Sequence, residues 1–200
     1  MLTRRLVQLF AGLILYGASM ALMLRSTLGL DPWDVFHQGL ASHTALSFGM
    51  LVNLVGLAVL LLWIPLRQWP GIGTVANVAT IGLSVDATLA VLPPVEGLPA
   101  RAALLVAGVV LNGLAGALYI GAGLGPGPRD GLMTGLVRRT GWSIRLVRTG
   151  LELSVLAIGW AMGGTVGIGT VLYALAIGPL VQAFLPLVAV APGANAAVNA

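Results

Sequence analysis

Long apolar stretches separated by short polar segments dominate the chain. A bilayer core about 30 Å thick is crossed by about 20 predominantly apolar residues in a helix. The stretches that satisfy this requirement are 6–24, 47–66, 71–92, 102–122, 145–162 and 167–190. The pattern therefore predicts six transmembrane helices, followed by a flexible C-terminal tail at 191–200.

The pattern of the first half recurs in the second half after a shift of 96 residues. Between 11–90 and 107–186, 27 of 80 aligned positions are identical. A chain rich in Leu, Ala, Gly and Val would give about one in ten by composition alone. We interpret the match as an internal duplication, with repeats at 6–95 and 102–190.

Each repeat contains three predicted spans, and three is an odd number. The second repeat must then enter the membrane upside down relative to the first, an arrangement that recurs in transporters. The predicted fold is an all-α membrane protein with two inverted three-helix repeats, which form a single integral membrane domain over 1–200.

A short polar segment follows the first span of each repeat: DPWDVFHQGLASHT at 31–44 and GPRDGLMTGLVRRT at 127–140. Fourteen helical residues reach only about 21 Å, which is too short to span. Trp33, Phe36, His37 and Leu40 share one helical face, as expected of an interfacial helix. Three placements stay open: an interfacial helix, a re-entrant helix, or a full crossing that would make the repeats parallel.

Glycine and proline shape the entry to both short helices. Gly29, Gly125 and Gly127 permit tight reversals of the chain, since glycine tolerates backbone conformations that other residues avoid. Pro32 and Pro128 suit the first turn of a helix. We assign these residues a structural role in the turns.

The composition supports a membrane protein. Hydrophobic residues make up 58% of the chain and charged residues only 8%, against about 25% charged in soluble domains. All ten basic residues are arginines that flank apolar runs, which favours the lipid bilayer over nucleic acid as partner. With no cysteine and two histidines, we expect no metal site and no cofactor.

The arginines also predict an orientation. Arg4 and Arg5 precede the first apolar run as in a signal peptide, but the recurrence of that run inside the chain argues against cleavage. With a cytoplasmic N-terminus, two arginines lie outside, Arg25 and Arg101, and the others lie on or near the inner side. Six spans return the C-terminus to the cytoplasm.

Charged residues within or beside the spans are the candidate functional residues. Asp34 and Asp130 occupy equivalent repeat positions. Each either stabilises the positive end of a helix or lines a central cavity. Arg129 either pairs with Asp130 or neutralises an anionic group. Asp86 lies in the third span, where its repeat counterpart is Gln182.

Arg148 and Glu152 are four residues apart in the fifth predicted span, so they share a helix face and can pair. An ionisable side chain at membrane depth is costly, which makes it a functional candidate. A structural clasp between helices is the alternative for this pair. Together with Asp34, Asp86, Arg129 and Asp130, the two residues are our candidates for a substrate path.

No pattern typical of an enzyme is present. GLGPGPRDG resembles the GxGxxG of dinucleotide sites, but an apolar span precedes it instead of a strand, and no GK[ST] follows. Neither a Ser/His/Asp triad nor HExxH can be assembled. We therefore expect no enzymatic activity.

The motifs GPRDGL, R-x-x-x-E, GW-x-x-GG and G-x-GT…GP in the second repeat, with LG-x-D-P-W-D and GIGT in the first, resemble the YczE/YitT-type family of bacterial multipass membrane proteins. The resemblance covers nearly the whole chain. It implies a plasma (inner) membrane location in bacteria but no particular activity.

The leading functional hypothesis is a small-solute transporter or channel-like protein, based on inverted repeats, paired interrupted segments and buried charges. One alternative is a substrate-binding subunit of a multi-component uptake system, since small basic six-span proteins serve that way. Another is a non-transport scaffold or accessory protein. The identity of a solute and the presence of a partner subunit or a homo-oligomer stay open.

Overall fold

The computed structural model describes residues 2–190, so the predicted tail at 191–200 lies outside the described residues. This part of the chain forms the following helices: α1 (Leu2–Ser26), α2 (Pro32–Ala41), α3 (Phe48–Leu66), α4 (Ile72–Val91), α5 (Leu98–Gly121), α6 (Pro128–Thr140), α7 (Ile144–Ala161) and α8 (Ile168–Val188). Residues 2–190 contain no strand. The predicted all-α class is confirmed.

Five helices are long and apolar enough to cross a membrane: α1, α3, α4, α5 and α8. Each of the six predicted stretches overlaps one helix, and the helix that overlaps 145–162 is α7. That helix has 18 residues, but Arg145, Arg148 and Glu152 leave it outside the group of five. The fold is therefore that of a helical protein with several membrane-length apolar helices.

The helix boundaries repeat with the same period as the sequence. Every helix of the second half, α5 to α8, begins 96 residues after its counterpart in the first half, α1 to α4. The short helices α2 and α6 both begin at the proline that follows a Gly-rich loop. Proline is tolerated there because the first amide of a helix has no partner within the helix.

The helices α1 and α5 pack side by side and run antiparallel. Gln8 Nε2 donates to Leu118 O at 2.8 Å, and Arg101 Nε donates to Ser26 O at 2.8 Å, so residue numbers rise along one helix as they fall along the other. A Cβ on Gly12 would lie 2.9 Å from the amide nitrogen of Tyr119. The close approach of the two backbones therefore requires glycine at this position.

The helix α4 lies along α1, and α8 lies along α5 in the corresponding way. Ser84 Oγ donates to Ile14 O at 2.6 Å, and Tyr173 Oη donates to Asn112 Oδ1 at 3.0 Å. The main hydrophobic core lies between these four helices, α2 and the start of α3, with Leu9, Leu13, Val85 and Val109 among its buried residues.

The two Gly-rich loops dock reciprocally on the last helix of the other repeat. Leu28 O accepts from Gly169 N at 2.8 Å, and Leu124 O accepts from Gly73 N at 2.8 Å. The backbone φ angle is +117° at Gly29 and +123° at Gly125. Residues with a side chain rarely adopt these positive φ angles. The two turns therefore favour glycine, which is a structural role of the kind that the sequence predicts for these positions.

The two halves differ where the third and fourth helices of each repeat face one another. The helix α3 packs along α4, with Asn53 Oδ1 accepting from Gly82 N at 2.9 Å. Within residues 2–190, α7 and α8 do not pack along one another in this way. Arg145 and Thr149 occupy the positions in the second repeat that correspond to Gly49 and Asn53. The groups that hold α3 against α4 are therefore absent between α7 and α8. We call this side of the molecule the α7–α8 opening.

We predict that Gly12→Ala lowers the thermal stability of the purified protein, whereas Gly150→Ala does not. The new Cβ on Gly12 meets backbone atoms that cannot move independently, while a Cβ on Gly150 meets nothing within 4 Å. Overpacking of this kind costs about 1–3 kcal/mol. Thermal unfolding in detergent, followed by size-exclusion chromatography, measures the difference. Equal melting temperatures for the two variants would contradict the packing described for α1 and α5.

Candidate functional site

The N-terminus of α2 is buried inside the protein and is capped by a carboxylate. Asp31 Oδ1 accepts from the amides of Trp33 at 3.0 Å and Asp34 at 3.3 Å. Pro32 follows the cap as the first helical residue. The side chain of Asp34 is fully buried one turn into the helix. The segment DPWD therefore starts the helix in the way its sequence pattern indicates.

The N-terminus of α6 lacks such a cap and is held by neighbouring helices. Gly127 takes the position of the cap and supplies no side-chain hydrogen bond. Tyr119 Oη of α5 accepts from Gly127 N at 2.5 Å and donates to Asp130 Oδ2 at 2.7 Å. Trp63 Nε1 of α3 donates to Pro128 O at 3.0 Å.

Arg129 connects the N-termini of the two short helices. Its Nη1 lies 3.8 Å from Asp31 Oδ1, and its Nη2 lies 4.0 Å from Asp34 Oδ1. Its guanidinium carbon lies 4.9 Å from the centroid of the Trp33 ring, in a cation–π arrangement. Trp33 and Arg129 are 96 residues apart, so equivalent positions of the two repeats touch each other at the centre of the molecule.

A histidine and an aspartate form a buried pair beside Arg129. His37 Nδ1 and Asp34 Oδ1 are 3.1 Å apart, and the two side chains are 1% and 0% exposed. Within residues 2–190, Asp34 Oδ2 and His37 Nε2 have no hydrogen-bond partner. Leaving a buried polar atom unpaired lowers the stability of a fold by about 1–3 kcal/mol. A contribution to stability therefore does not explain why these two unpaired atoms are present.

A central cavity of about 90 Å³ lies between the two short helices. Drug-sized ligands occupy sites of roughly 300–1,000 Å³, so this cavity suits only a small solute. The polar and aromatic residues along its wall include Tyr16, Trp33, His37, Asn77, Tyr119, Arg129 and Asp130.

Arg129 and Asp130 line this cavity. Asp34 contacts Arg129 but is not one of the lining residues, and Asp86 lies elsewhere. Asp86 accepts from Gly49 N at 2.9 Å and from the hydroxyl of Ser47. Both donors belong to the N-terminus of α3. Asp86 therefore joins α4 to the start of α3 and is not among the residues that line the cavity.

Arg148 and Glu152 form an ion pair with 2.9 Å between Nε and Oε1, and their side chains are 57% and 39% exposed. Their repeat counterparts in α3 are Val52 and Gly56, which line the central cavity. Within the described residues, the helix that carries the pair packs against α2 and α6 rather than along α8.

Sequence reasoning did not select Asp31, His37 or Tyr119 as site residues. Asp31 precedes a proline, which is typical of a helix cap, and this signal was available in the sequence. His37 was noted only as part of an apolar helical face. No pattern in the sequence indicates a role for Tyr119, because that role depends on how α5 packs against the loop before α6.

The described residues show no metal centre. No three His, Asp or Glu side chains within residues 2–190 are close enough together to hold a metal ion. The polar groups along the cavity wall are a carboxylate, an imidazole, a guanidinium, hydroxyls and an amide.

The chain is similar to known proteins over most of its length. Residues 3–186 match a family described as "Family of unknown function (DUF6198)". The chain is 42% identical over 186 residues to an "Uncharacterized protein" of Haemophilus influenzae, covering 93% of this chain and 85% of the relative. It is 38% identical over 179 residues to the "Uncharacterized membrane protein YczE" of Bacillus subtilis, covering 88% and 83% respectively. No solved structure matches the chain.

We predict that Arg129→Gln destabilises the protein and that adding Asp34→Asn restores part of the loss. Removing the cation leaves buried carboxylates uncompensated, which costs about 3–5 kcal/mol in comparable sites. Neutralising Asp34 removes one of those charges. Thermal unfolding of both single variants and the double variant gives the coupling between them.

Arg139→Gln is the matched control, since Arg139 is exposed at the end of α6. We expect its melting temperature to equal that of the unmodified protein. Strictly additive effects of Arg129→Gln and Asp34→Asn would contradict an electrostatic link between the short helices.

Proposed function

The chain belongs to the family of unknown function DUF6198, and we propose that it is a small-solute transporter or channel-like protein of the bacterial plasma membrane. The observation that carries this proposal is the central cavity, where the N-termini of α2 and α6 meet around Arg129. Transporters built from inverted repeats bind their solutes at such repeat interfaces, near the bilayer midplane and at interrupted helices.

In this proposal α1, α3, α4, α5, α7 and α8 cross the membrane, and both termini are cytoplasmic. The antiparallel packing of α1 and α5 supports the inversion, because the two are equivalent helices of the two repeats. The arginine-rich ends of α6 and α7 then face the cytoplasm, as the positive-inside bias favours.

The short helices α2 and α6 are re-entrant in this proposal. The first turn of α2 is buried, with Asp34 and Val35 at 0% exposure, whereas residues 43–47 after α2 are exposed. In the first turn of α6, Pro128 and Gly131 are buried and Asp130 is exposed. A helix lying along the membrane surface would instead expose one face along its length. The positive ends of both helix dipoles then point toward the central cavity from opposite sides.

The α7–α8 opening gives the solute access to the cavity. Arg148 and Glu152 lie on this side, and their repeat counterparts Val52 and Gly56 line the cavity itself. Charged side chains at membrane depth face a polar path rather than lipid, because exposure to lipid is costly. The pair thus belongs to the path rather than to the lipid-facing surface.

The role is non-enzymatic in this proposal. Arg129, Asp34 and His37 bind and release a solute through ionic contacts and hydrogen bonds, and the covalent bonds of the solute stay intact. Lipid is the permanent partner of the outer surface, where large apolar side chains such as Leu61, Leu83, Leu175 and Ile168 are exposed.

A substrate-binding subunit of a multi-component uptake system is the second candidate. The observation that favours it is the α7–α8 opening, which a partner subunit would cover. The purified chain alone would then bind its solute without moving it across a bilayer.

We predict that Val166→Cys is labelled by a membrane-impermeant maleimide on intact spheroplasts, whereas Trp142→Cys is labelled only after permeabilisation. The two positions flank α7 and are exposed, so they lie on opposite sides if α7 crosses the membrane. The chain contains no cysteine, and each variant therefore reports a single site. Labelling of both positions from the same side would rule out six crossings.

We predict that proteoliposomes containing the purified chain accumulate at least one small radiolabelled solute from a panel of amines, carboxylates and amino acids. Asp34→Asn and Arg129→Gln abolish this uptake, because Arg129 lines the central cavity and Asp34 is its ion-pair partner. Asp86→Asn is the matched control: it removes a charge from the α3–α4 contact and should retain uptake per folded molecule.

Three outcomes count against transport. One is the absence of uptake for the whole panel by monodisperse protein. Another is equal uptake by Asp34→Asn and the unmodified chain. The third is loss of uptake in Asp86→Asn with normal uptake in Arg129→Gln. This result would indicate that the solute passes by the α3–α4 contact and not through the central cavity.

A further inference from the structure

We propose that a pocket between the C-terminal ends of α3 and α6 binds the headgroup of an anionic phospholipid. This pocket is separate from the central cavity, and the inference does not depend on transport. It depends on α3 crossing the bilayer, which the length and apolar composition of that helix allow.

Three arginines converge on this pocket, which has a volume of about 350 Å³. Arg138 Nη2 links the ends of the two helices, because it donates to Leu66 O at 3.4 Å and to Arg67 O at 3.3 Å. The side chains of all three arginines are exposed. The residues that line the pocket are Pro65, Leu66, Arg67, Gly135, Arg138 and Arg139.

No carboxylate of the described residues neutralises these arginines. Within residues 2–190, none of the three takes part in an ion pair. Asp130 lies eight residues before Arg138, which is about 12 Å along the axis of α6, and Asp86 contacts the opposite end of α3. Like charges repel one another, so three guanidinium groups around one pocket favour an anion between them. A guanidinium presents a planar set of donors that matches the oxygens of a phosphate.

The equivalent pocket of the other repeat shows that the fold does not require these charges. The positions that correspond to Arg67, Arg138 and Arg139 are Gly163, Ser42 and His43. Ser42 Oγ donates to Met162 O at 2.9 Å, and Met162 is the counterpart of Leu66. A serine therefore links α2 to α7 where Arg138 links α6 to α3. The positive charge is confined to one of two similar helix junctions, which indicates a ligand at that junction.

The pocket lies at the level expected for lipid headgroups. Trp69 and Trp142 closely follow Arg67 and Arg139 in the sequence, and their side chains are 88% and 60% exposed. Exposed tryptophans are enriched where a membrane meets water. Basic pockets between helices at this level are typical sites for anionic lipid headgroups.

An apolar strip on α3 leads from the membrane-length part of the helix to the pocket. Leu57, Leu61 and Pro65 are spaced four residues apart, so they share one helix face. All three are exposed, and Pro65 also lines the pocket. The strip is about 12 Å long. A lipid would use this strip for its acyl chains and the arginines for its phosphate, whereas a soluble anion would use the arginines alone.

The experiment measures lipid binding to the full chain, purified in a non-ionic detergent and freed of lipid, by native mass spectrometry. The probes are phosphatidylglycerol and phosphatidylcholine with identical acyl chains. We expect phosphatidylglycerol to bind at least about tenfold more tightly, because each arginine near an anionic lipid contributes about fivefold. Equal affinities for the two lipids would overturn the proposal. Displacement of phosphatidylglycerol by a large excess of inorganic phosphate would assign the pocket to a soluble anion instead.

A double variant tests whether the pocket is the source of this preference. Arg67→Gln combined with Arg139→Gln should lower the preference for phosphatidylglycerol to less than about threefold. Arg138 stays in place because it links the helix ends. The preference is a ratio of two affinities on one preparation, so partial misfolding does not mimic its loss.

Arg4→Gln is the matched control, since Arg4 is exposed at the start of α1 and lies outside the pocket. We expect it to keep the full preference for phosphatidylglycerol. An unchanged preference in the double variant would overturn the proposal. An equal loss in Arg4→Gln and in the double variant would also overturn it, because the preference would then reflect the overall charge of the protein.

Discussion

The loops before α2 and α6 turn into the protein, where each buried amide and carbonyl needs a hydrogen-bond partner within the chain. In this structure, the loop of each repeat forms a backbone hydrogen bond with a helix of the other repeat. The carbonyl of Leu28 receives the amide of Gly169, and the carbonyl of Leu124 receives the amide of Gly73. Each loop carbonyl therefore obtains its hydrogen bond from the other half of the chain, and neither repeat alone would supply the donor for its own loop.

The same exchange positions the candidate site. Because both loops turn inward at a glycine, α2 and α6 begin in the interior, and Trp33 meets Arg129 between them. The backbone of the two repeats is closely similar here, but the side chains differ. An aspartate caps one helix and a glycine leaves the other uncapped. The two helix ends therefore occupy equivalent positions in the 96-residue repeat, but only the end of α2 has a side-chain cap.

Much of the fold could be predicted from the sequence, since helix length and the 96-residue repeat are local or periodic signals. The helices lie where the apolar stretches lie, and Pro32 and Pro128 begin the short helices. The meeting of Asp34 with Arg129 could not be predicted, because it depends on how two distant segments pack. For the same reason Tyr119 gave no signal, and Asp86 could not be distinguished from a cavity residue before its contact with α3 was known.

The central ion pairs are poorly arranged for stability, which supports a role in binding. Distances of 3.8 and 4.0 Å from Arg129 to the two carboxylates are long for charge-assisted hydrogen bonds, and a buried pair with imperfect geometry does not recover its desolvation cost. A protein selected only for stability would fill this space with apolar side chains, as it does beside Val85 and Val109. Partly used polar groups facing a cavity are instead what a solute needs in order to bind and then leave.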